Sequence, residues 1–211
     1  MKNNKKTALK SFVALALFAV LFFVSGFSAM GAGASFGDVS ASDYYCDAVN
    51  WAVDMGITTG VSDTMFAPGE TCTRAQMVSF LWRAVGKPKA GSNAPVFSDV
   101  SKSDYYYTAV MWAAGHGITL GASDGRFDPD GSCTRAQAVS FIYRAMGEPK
   151  AGAKASFSDV SAGAYYYNAV MWASGEGVTV GTSKNTFSPD KVCTRAEIIT
   201  FLYRSYNAFM A

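Results

Sequence analysis

The chain has 211 residues, half of them hydrophobic, enough for one or two globular domains with a real core and too apolar for a chain that is mainly disordered. Charged residues make up only 16% and the formal net charge is +2, so no basic field exists of the kind that phosphate-backbone binding needs, and nucleic acid is excluded as a partner. A single histidine excludes a histidine-rich metal site and leaves one candidate at most for a histidine-based triad.

The first element is a leader. Lys2, Lys5, Lys6 and Lys10 precede an apolar run from about Phe12 to Val24, and the small residues Ala29 to Ala34 follow, the pattern of a signal peptide over residues 1–34 with cleavage expected after Ala34. An uncleaved anchor is the competing reading, since the stretch from Phe12 to Ala34 is just long enough to span a bilayer. With those four lysines set aside, 14 basic residues face 16 acidic ones, so a chain starting near Ser35 is mildly acidic, exported and, once cleaved, free of the membrane.

Beyond Ser35 the chain repeats itself. A shift of 61 carries Phe36, Asp38, Trp51, Gly56, Gly60, Phe66, Pro68, Cys72, Arg74 and Arg83 onto Phe97, Asp99, Trp112, Gly117, Gly121, Phe127, Pro129, Cys133, Arg135 and Arg144. A further 60 carries them onto Phe157, Asp159, Trp172, Gly177, Gly181, Phe187, Pro189, Cys193, Arg195 and Arg204. Three units result, at 35–86, 97–147 and 157–206, joined by linkers 87–96 and 148–156 that are rich in Pro, Gly, Ala and Lys. Each unit reads as helix, loop, helix. In the first, Ala48, Val49, Trp51, Ala52 and Met55 lie at helical spacing from Tyr44 to Met55, and Gly56 stops the run. After a loop with Gly60 and Phe66-Ala67-Pro68, Thr73-Arg74-Ala75-Gln76 forms a capping box that opens a second helix, which ends at Gly86. Brief β bridges around Ile57-Thr58-Thr59 are compatible with the pattern. The fold class is therefore all-α, helix-rich.

The ordered set F-x-D-V, aromatic-led helix, G-I-T-x-G, F-x-P and T-R-A-E/Q, present three times, resembles the S-layer homology (SLH) domain. The carrying residues are Phe36-Gly37-Asp38-Val39, Phe97-Ser98-Asp99-Val100 and Phe157-Ser158-Asp159-Val160, with Thr73-Arg74-Ala75, Thr134-Arg135-Ala136 and Thr194-Arg195-Ala196, over nearly all of residues 35–206. The resemblance implies a pseudo-threefold bundle with three central helices and three prongs. It also implies binding of secondary cell-wall polysaccharide, commonly carrying pyruvate ketals, in grooves between prongs, with the T-R-A-E arginine as the recurrent ligand contact. The sequence departs from the family pattern in having Tyr where Trp often starts the first helix, Gln76 and Gln137 where Glu is usual, and Cys before each T-R-A.

Two roles are open to Arg74, Arg135 and Arg195. At a helix N-terminus, beside unpaired N–H groups, each can hold a carboxylate bidentately, or each can pair with Asp38, Asp99 or Asp159 and staple its module. Tyr45, Tyr106 and Tyr166 are candidates to stack on sugar, with a core role equally open. Gly60, Gly121 and Gly181 allow close approach of a ligand, although a turn with positive φ is the favoured reading. Trp51, Trp112 and Trp172 read as core, and Arg83, Arg144 and Arg204 as cations complementing helix C-termini. The three repeated cysteines read as small buried apolar groups, and a Cys46–Cys72 disulfide stays open. Asp124 to Gly131 lacks EF-hand spacing, and His116 aligns with Met55 and Glu176, so no metal site and no cofactor are expected.

The expected function is a noncatalytic cell-surface module, secreted to the cell wall or S-layer. It would hold secondary cell-wall polysaccharide or another peptidoglycan-linked glycan, and anchor either itself or a surface-protein partner. The alternative is a structural S-layer protein acting through protein–protein contacts. No enzyme is expected: the only acidic residues shared by all three repeats are the F-x-D-V aspartates, whereas a wall hydrolase needs paired carboxylates in a cleft.

Overall fold

The computed structural model describes residues 36–91, 94–151 and 156–210, so the expected leader and its cleavage point lie outside the described residues. Among these are six helices: α1 (Cys46–Asp54), α2 (Arg74–Ala84), α3 (Tyr107–Gly115), α4 (Arg135–Ala145), α5 (Tyr167–Gly175) and α6 (Arg195–Met210). They are the two helices of each of three repeats, and the described residues hold no strand beyond isolated bridges. None of those bridges falls at Ile57–Thr59; they lie in the Ser62–Met65 turn and its equivalents and beside the three repeated cysteines.

The second helix of each repeat starts where the capping box places it. Thr73 Oγ1 accepts from the Gln76 N–H at 3.2 Å while Gln76 Oε1 accepts from the Thr73 N–H at 3.2 Å, and the same reciprocal pair recurs at Thr134–Gln137 and Thr194–Glu197. The first helix begins later than its apolar spacing suggests. Tyr45 precedes α1 without any side-chain cap, because the chain is still in a turn in which Cys46 N–H donates to the Asp43 carbonyl at 3.0 Å. At the other end, Gly56 at φ 64° terminates the helix from the left-handed region. In the third repeat the second helix, α6, runs on to Met210 and is longer than its counterparts α2 and α4.

Packing is cyclic. Helices α2, α4 and α6 pack on one another as a central trio, and each first helix packs on the second helix of the preceding repeat: α3 on α2, α5 on α4, and α1 on α6, which closes the ring. Trp172 of α5 meets Tyr143 of α4 at 5.7 Å between ring centroids, and Trp51 of α1 meets Tyr203 of α6 at 5.6 Å, so the closing contact copies a chain-linked one. Trp112 and Trp172 are buried and Trp51 is partly buried against the core, as expected of a core stripe.

The N-terminal ends of the central helices meet at the pseudo-threefold axis. Cys72 N–H donates to the Cys193 carbonyl (3.0 Å), Cys133 N–H to Cys72 (2.9 Å) and Cys193 N–H to Cys133 (2.9 Å), a closed ring of three backbone bonds. A side chain at that position must fit against its two copies, which suits a small apolar group. All four cysteines are free, so Cys46 and Cys72 form no disulfide.

Candidate functional site

Each F-x-P loop carries a residue in the left-handed region, Ala67 (φ 58°), Asp128 (φ 60°) or Ser188 (φ 57°), a conformation that costs a side-chain-bearing residue free energy. The F-x-D-V aspartate holds it there. Asp38 accepts from the Phe66 and Ala67 N–H groups at 2.9 and 2.7 Å, and Asp99 and Asp159 repeat the arrangement. Burial works to raise the Asp38 pKa, but these bonds and the field of Arg195 outweigh it and hold the carboxyl below its ordinary value of 3.8.

The T-R-A arginine grips the same loop from another repeat. Arg195 Nε donates to the Phe66 carbonyl (3.0 Å), Arg74 Nε to Phe127 (2.9 Å) and Arg135 Nε to Phe187 (2.9 Å). Each guanidinium lies over two phenylalanine rings, as Arg74 does over Phe127 at 4.8 Å and Phe141 at 5.6 Å. Among the described residues none of the three forms an ion pair, so the alternative of a direct Asp–Arg staple is not what is seen; the aspartate accepts from N–H groups of the loop and the arginine donates to one of its carbonyls.

The first N–H groups of the helix are not free for an anion either. Arg74 and Ala75 donate to the carbonyls of Gly131 and Pro129, Arg135 and Ala136 to Lys191 and Pro189, and Arg195 and Ala196 to Glu70 and Pro68. The loop of the following repeat caps each helix, a partner that no local sequence signal announces. What stays unsatisfied is one nitrogen of the guanidinium: Arg74 and Arg195 are 3% and 4% exposed, and the Nη2 of each is buried with no hydrogen-bond partner. Arg135 Nη2 instead donates to Thr179 Oγ1 at 3.1 Å.

Arg74 floors a groove of about 390 Å³ assembled from all three repeats. Repeat 1 contributes Arg74, repeat 2 contributes Thr119 to Ala122 with Gln137, Phe141 and Arg144, and repeat 3 contributes Tyr165. Carrying these positions around the repeat gives Arg135 with Arg204 and Tyr44, and Arg195 with Arg83 and Tyr105.

The groove thus brings together an arginine and a glycine singled out as ligand candidates by sequence, Arg74 and Gly121, with Arg144, read there as structural, and Tyr165. Arg144 lies in the last turn of α4, donates from Nη1 to the Ile118 carbonyl at 3.0 Å and also lines the groove. Tyr165 is the exposed member of a pair with Tyr166, edge-on at 5.0 Å between centroids. Tyr45, Tyr106 and Tyr166 lie behind the exposed Tyr44, Tyr105 and Tyr165, packed against the core. Burial, with donation to Asp43 and Asp104, pushes the Tyr45 and Tyr106 hydroxyls up to about 12. Nothing in the run of tyrosines tells which ring faces out; that depends on where α3 and α5 start, one residue past the second tyrosine.

Gly60, Gly121 and Gly181 sit at φ between 83° and 91°. A Cβ on Gly60 would meet the Met65 carbonyl and the Phe36 ring, each at 2.5 Å, so the turn and the approach of Phe36 already require glycine. Among the described residues no group of three or more His, Cys, Asp or Glu is arranged to hold a metal ion, and no helix is long and apolar enough to cross a membrane.

The sequence model of the S-layer homology domain matches residues 35–78, 96–139 and 156–199. The chain is 26% identical over 181 residues to an S-layer protein of Bacillus thuringiensis subsp. finitimus, covering 84% of this chain and 22% of that protein. It is 33% identical over 155 residues to a cell surface protein of Thermoanaerobacter kivui (70% and 19%), and 31% identical over 168 residues to an exoglucanase of Acetivibrio thermocellus (73% and 15%). The chain therefore spans about a fifth of the length of these relatives. With three matched copies over most of its length, the chain belongs to the S-layer homology domain family.

Proposed function

We propose that this chain is a noncatalytic wall-binding module that holds an anionic glycan of the bacterial cell wall in the grooves between its repeats, anchoring itself or a partner at the cell surface. The observation that carries this reading is the groove on Arg74: a buried guanidinium short of a partner, a second arginine at Arg144 and an exposed ring at Tyr165 around about 390 Å³. A buried charge with an unused donor is stabilised by an anion, and the guanidinium fork suits a planar carboxylate such as a pyruvyl ketal. Tyr165 offers a face on which a sugar ring can stack while its hydroxyl stays wet.

The relatives support a module over an enzyme. One segment recurs in an S-layer protein, an exoglucanase and an amylopullulanase, covering 22%, 15% and 9% of each, so what they share through it is not a common reaction. The test is sedimentation of the protein with purified sacculi before and after hydrofluoric acid strips the attached polysaccharide. Pelleting that disappears with the polysaccharide is the expected result; assembly that proceeds unchanged without sacculi would replace the reading with a purely structural S-layer role.

A further inference from the structure

Between the two helices of each repeat, a tight corner decides what the groove wall presents. Thr58, Thr119 and Thr179 are buried, and their hydroxyls accept from the N–H groups of Gly60, Gly121 and Gly181 at 3.1, 3.1 and 3.2 Å. With the threonine turned inward and the glycine at positive φ, the residue between them is left facing solvent in all three repeats. Folding makes no demand on that residue, which is the position left open in G-I-T-x-G. Repeat 1 has Thr59 there, whereas repeats 2 and 3 have Leu120 and Val180, 84% and 75% exposed. A single exposed aliphatic residue is ordinary on a protein surface. These two are not scattered. Leu120 lines the Arg74 groove together with Ala122 and the exposed Tyr165, and the repeat gives Val180 the same place in the Arg135 groove, with the exposed Tyr44. In the Arg195 groove the corresponding pair is Thr59 and Tyr105.

Resting on the wall-binding reading above, we infer that Leu120 and Val180 are specificity-determining residues, which hold the uncharged C–H face of a sugar ring of the glycan in the Arg74 and Arg135 grooves. The chemistry of the groove is divided to match. Arg74, Gln137 and Arg144 offer polar groups, whereas Leu120, Ala122 and Tyr165 offer apolar surface. A pyranose has hydroxyls that seek the first and axial C–H groups that seek the second. Covering a leucine that the free protein leaves in water gains hydrophobic free energy that no charge on the ligand supplies. Thr59 places a hydroxyl at the same corner of the Arg195 groove, which therefore lacks this contribution. Two of the grooves thus grip the sugar irrespective of its charge.

The experiment is a methyl NMR titration of the full chain, with ¹³C-methyl labels on alanine, leucine and valine. The probes are the polysaccharide that hydrofluoric acid releases from sacculi, and the same material with its carboxylates reduced to alcohols. The Leu120 and Val180 methyl signals should shift with both, the neutral form included. Leu120→Thr should weaken binding in the Arg74 groove about fivefold, read at the Ala122 methyl. Thr59→Leu should strengthen binding in the Arg195 groove by a similar factor, read at Val61, the counterpart of Ala122. Both substitutions fall on an exposed corner, so the melting temperature should stay within about 2 °C of the parent, which separates a lost contact from a lost fold. Leu120 and Val180 signals that neither probe moves, with sacculi still pelleted, overturn the assignment and leave wall binding standing. A Leu120→Thr variant that binds as the parent does has the same meaning. Signals that move with protein concentration alone assign these residues to contacts between copies of the chain and overturn the proposal too. Silence with no pelleting overturns the wall-binding reading itself.

Discussion

The arginine that opens each second helix has a position any reader of the sequence can find and a partner that none can. Its place follows from the capping box four residues long, but the loop it holds lies 53 residues away for Arg74 and 129 for Arg195, and only the cyclic packing brings them together. This changes how the residue must be tested. Replacing Arg74 by Ala removes a buried charge-assisted bond and the contact with two rings, a loss of about 1.5 to 3 kcal/mol from the bond alone, so urea unfolding should show the defect whether or not glycan binds. Binding is better tested at Tyr165→Ala, which leaves that anchor intact and should lower affinity for sacculi without moving the unfolding midpoint. The aspartates give a pH prediction. Asp38, Asp99 and Asp159 have folded-state pKa values below the ordinary 3.8, so the stability they contribute is fully present above the unfolded value and is lost as pH falls through the folded one. Acid unfolding should therefore set in below about pH 4, and Asp99→Asn should flatten that dependence while costing about 1 to 3 kcal/mol at neutral pH. An acid limb as steep in the variant as in the wild type would remove these carboxylates from the explanation.

At the level of elements, legibility follows how local the deciding interaction is. The second helices start where the sequence places them because both halves of the capping box are within four residues, and Thr134→Ala should cost about 1 kcal/mol through that box alone, read as a lowered melting temperature. The first helices carry no such box, and their apolar spacing continues back into a turn that is not helical, which is why α1 begins two residues after the spacing suggests. That small offset decides the site, since it turns Tyr44, Tyr105 and Tyr165 outward and their neighbours inward. The cysteines were legible for a related reason: three copies at one repeat position argued for a structural role, and the structure supplies it as the ring at the axis. Burial pushes the Cys72 and Cys193 thiols up to about 12 and Cys133 well above its ordinary value, whereas Cys46 is partly exposed. A thiol-reactive dye should therefore label one cysteine of four in the native protein and the other three only at the rate of unfolding. Rapid labelling of more than one would mean that the axis opens without global unfolding.

For the molecule as a whole, the repeat could be read from the sequence and the swap could not. Self-alignment shows that three units exist, but an offset of 61 or 60 residues is equally consistent with each helix pair packing on itself. The structure pairs α3 with α2, α5 with α4 and α1 with α6, so the buried face of every first helix is completed by a different repeat, and the groove on Arg74 draws on all three. Two of these contacts are bridged by a linker and the third is not, yet the unlinked one reproduces the same Trp–Tyr contact and the same helix cap, with Arg195 and Ala196 donating to Glu70 and Pro68. The order of the repeats along the chain should then matter little to the folded state. A circular permutant that joins Met210 to Phe36 through a flexible linker of about ten residues and opens the chain within 152–155 places repeat 3 first. Because it keeps every interface and exchanges one chain connection for another of similar length, its closure entropy changes by well under 1 kcal/mol. It should fold with native helix content by circular dichroism, a melting temperature within a few degrees of the parent, and unchanged sedimentation with sacculi. Conversely, deleting residues 36–55 removes α1 from a chain that still contains all three central helices; α6 then loses its cover and the groove walled by Tyr44 loses its rim. That variant should unfold at markedly lower urea concentration. Equal stability of the two would show that the α1–α6 contact does not close the ring in solution.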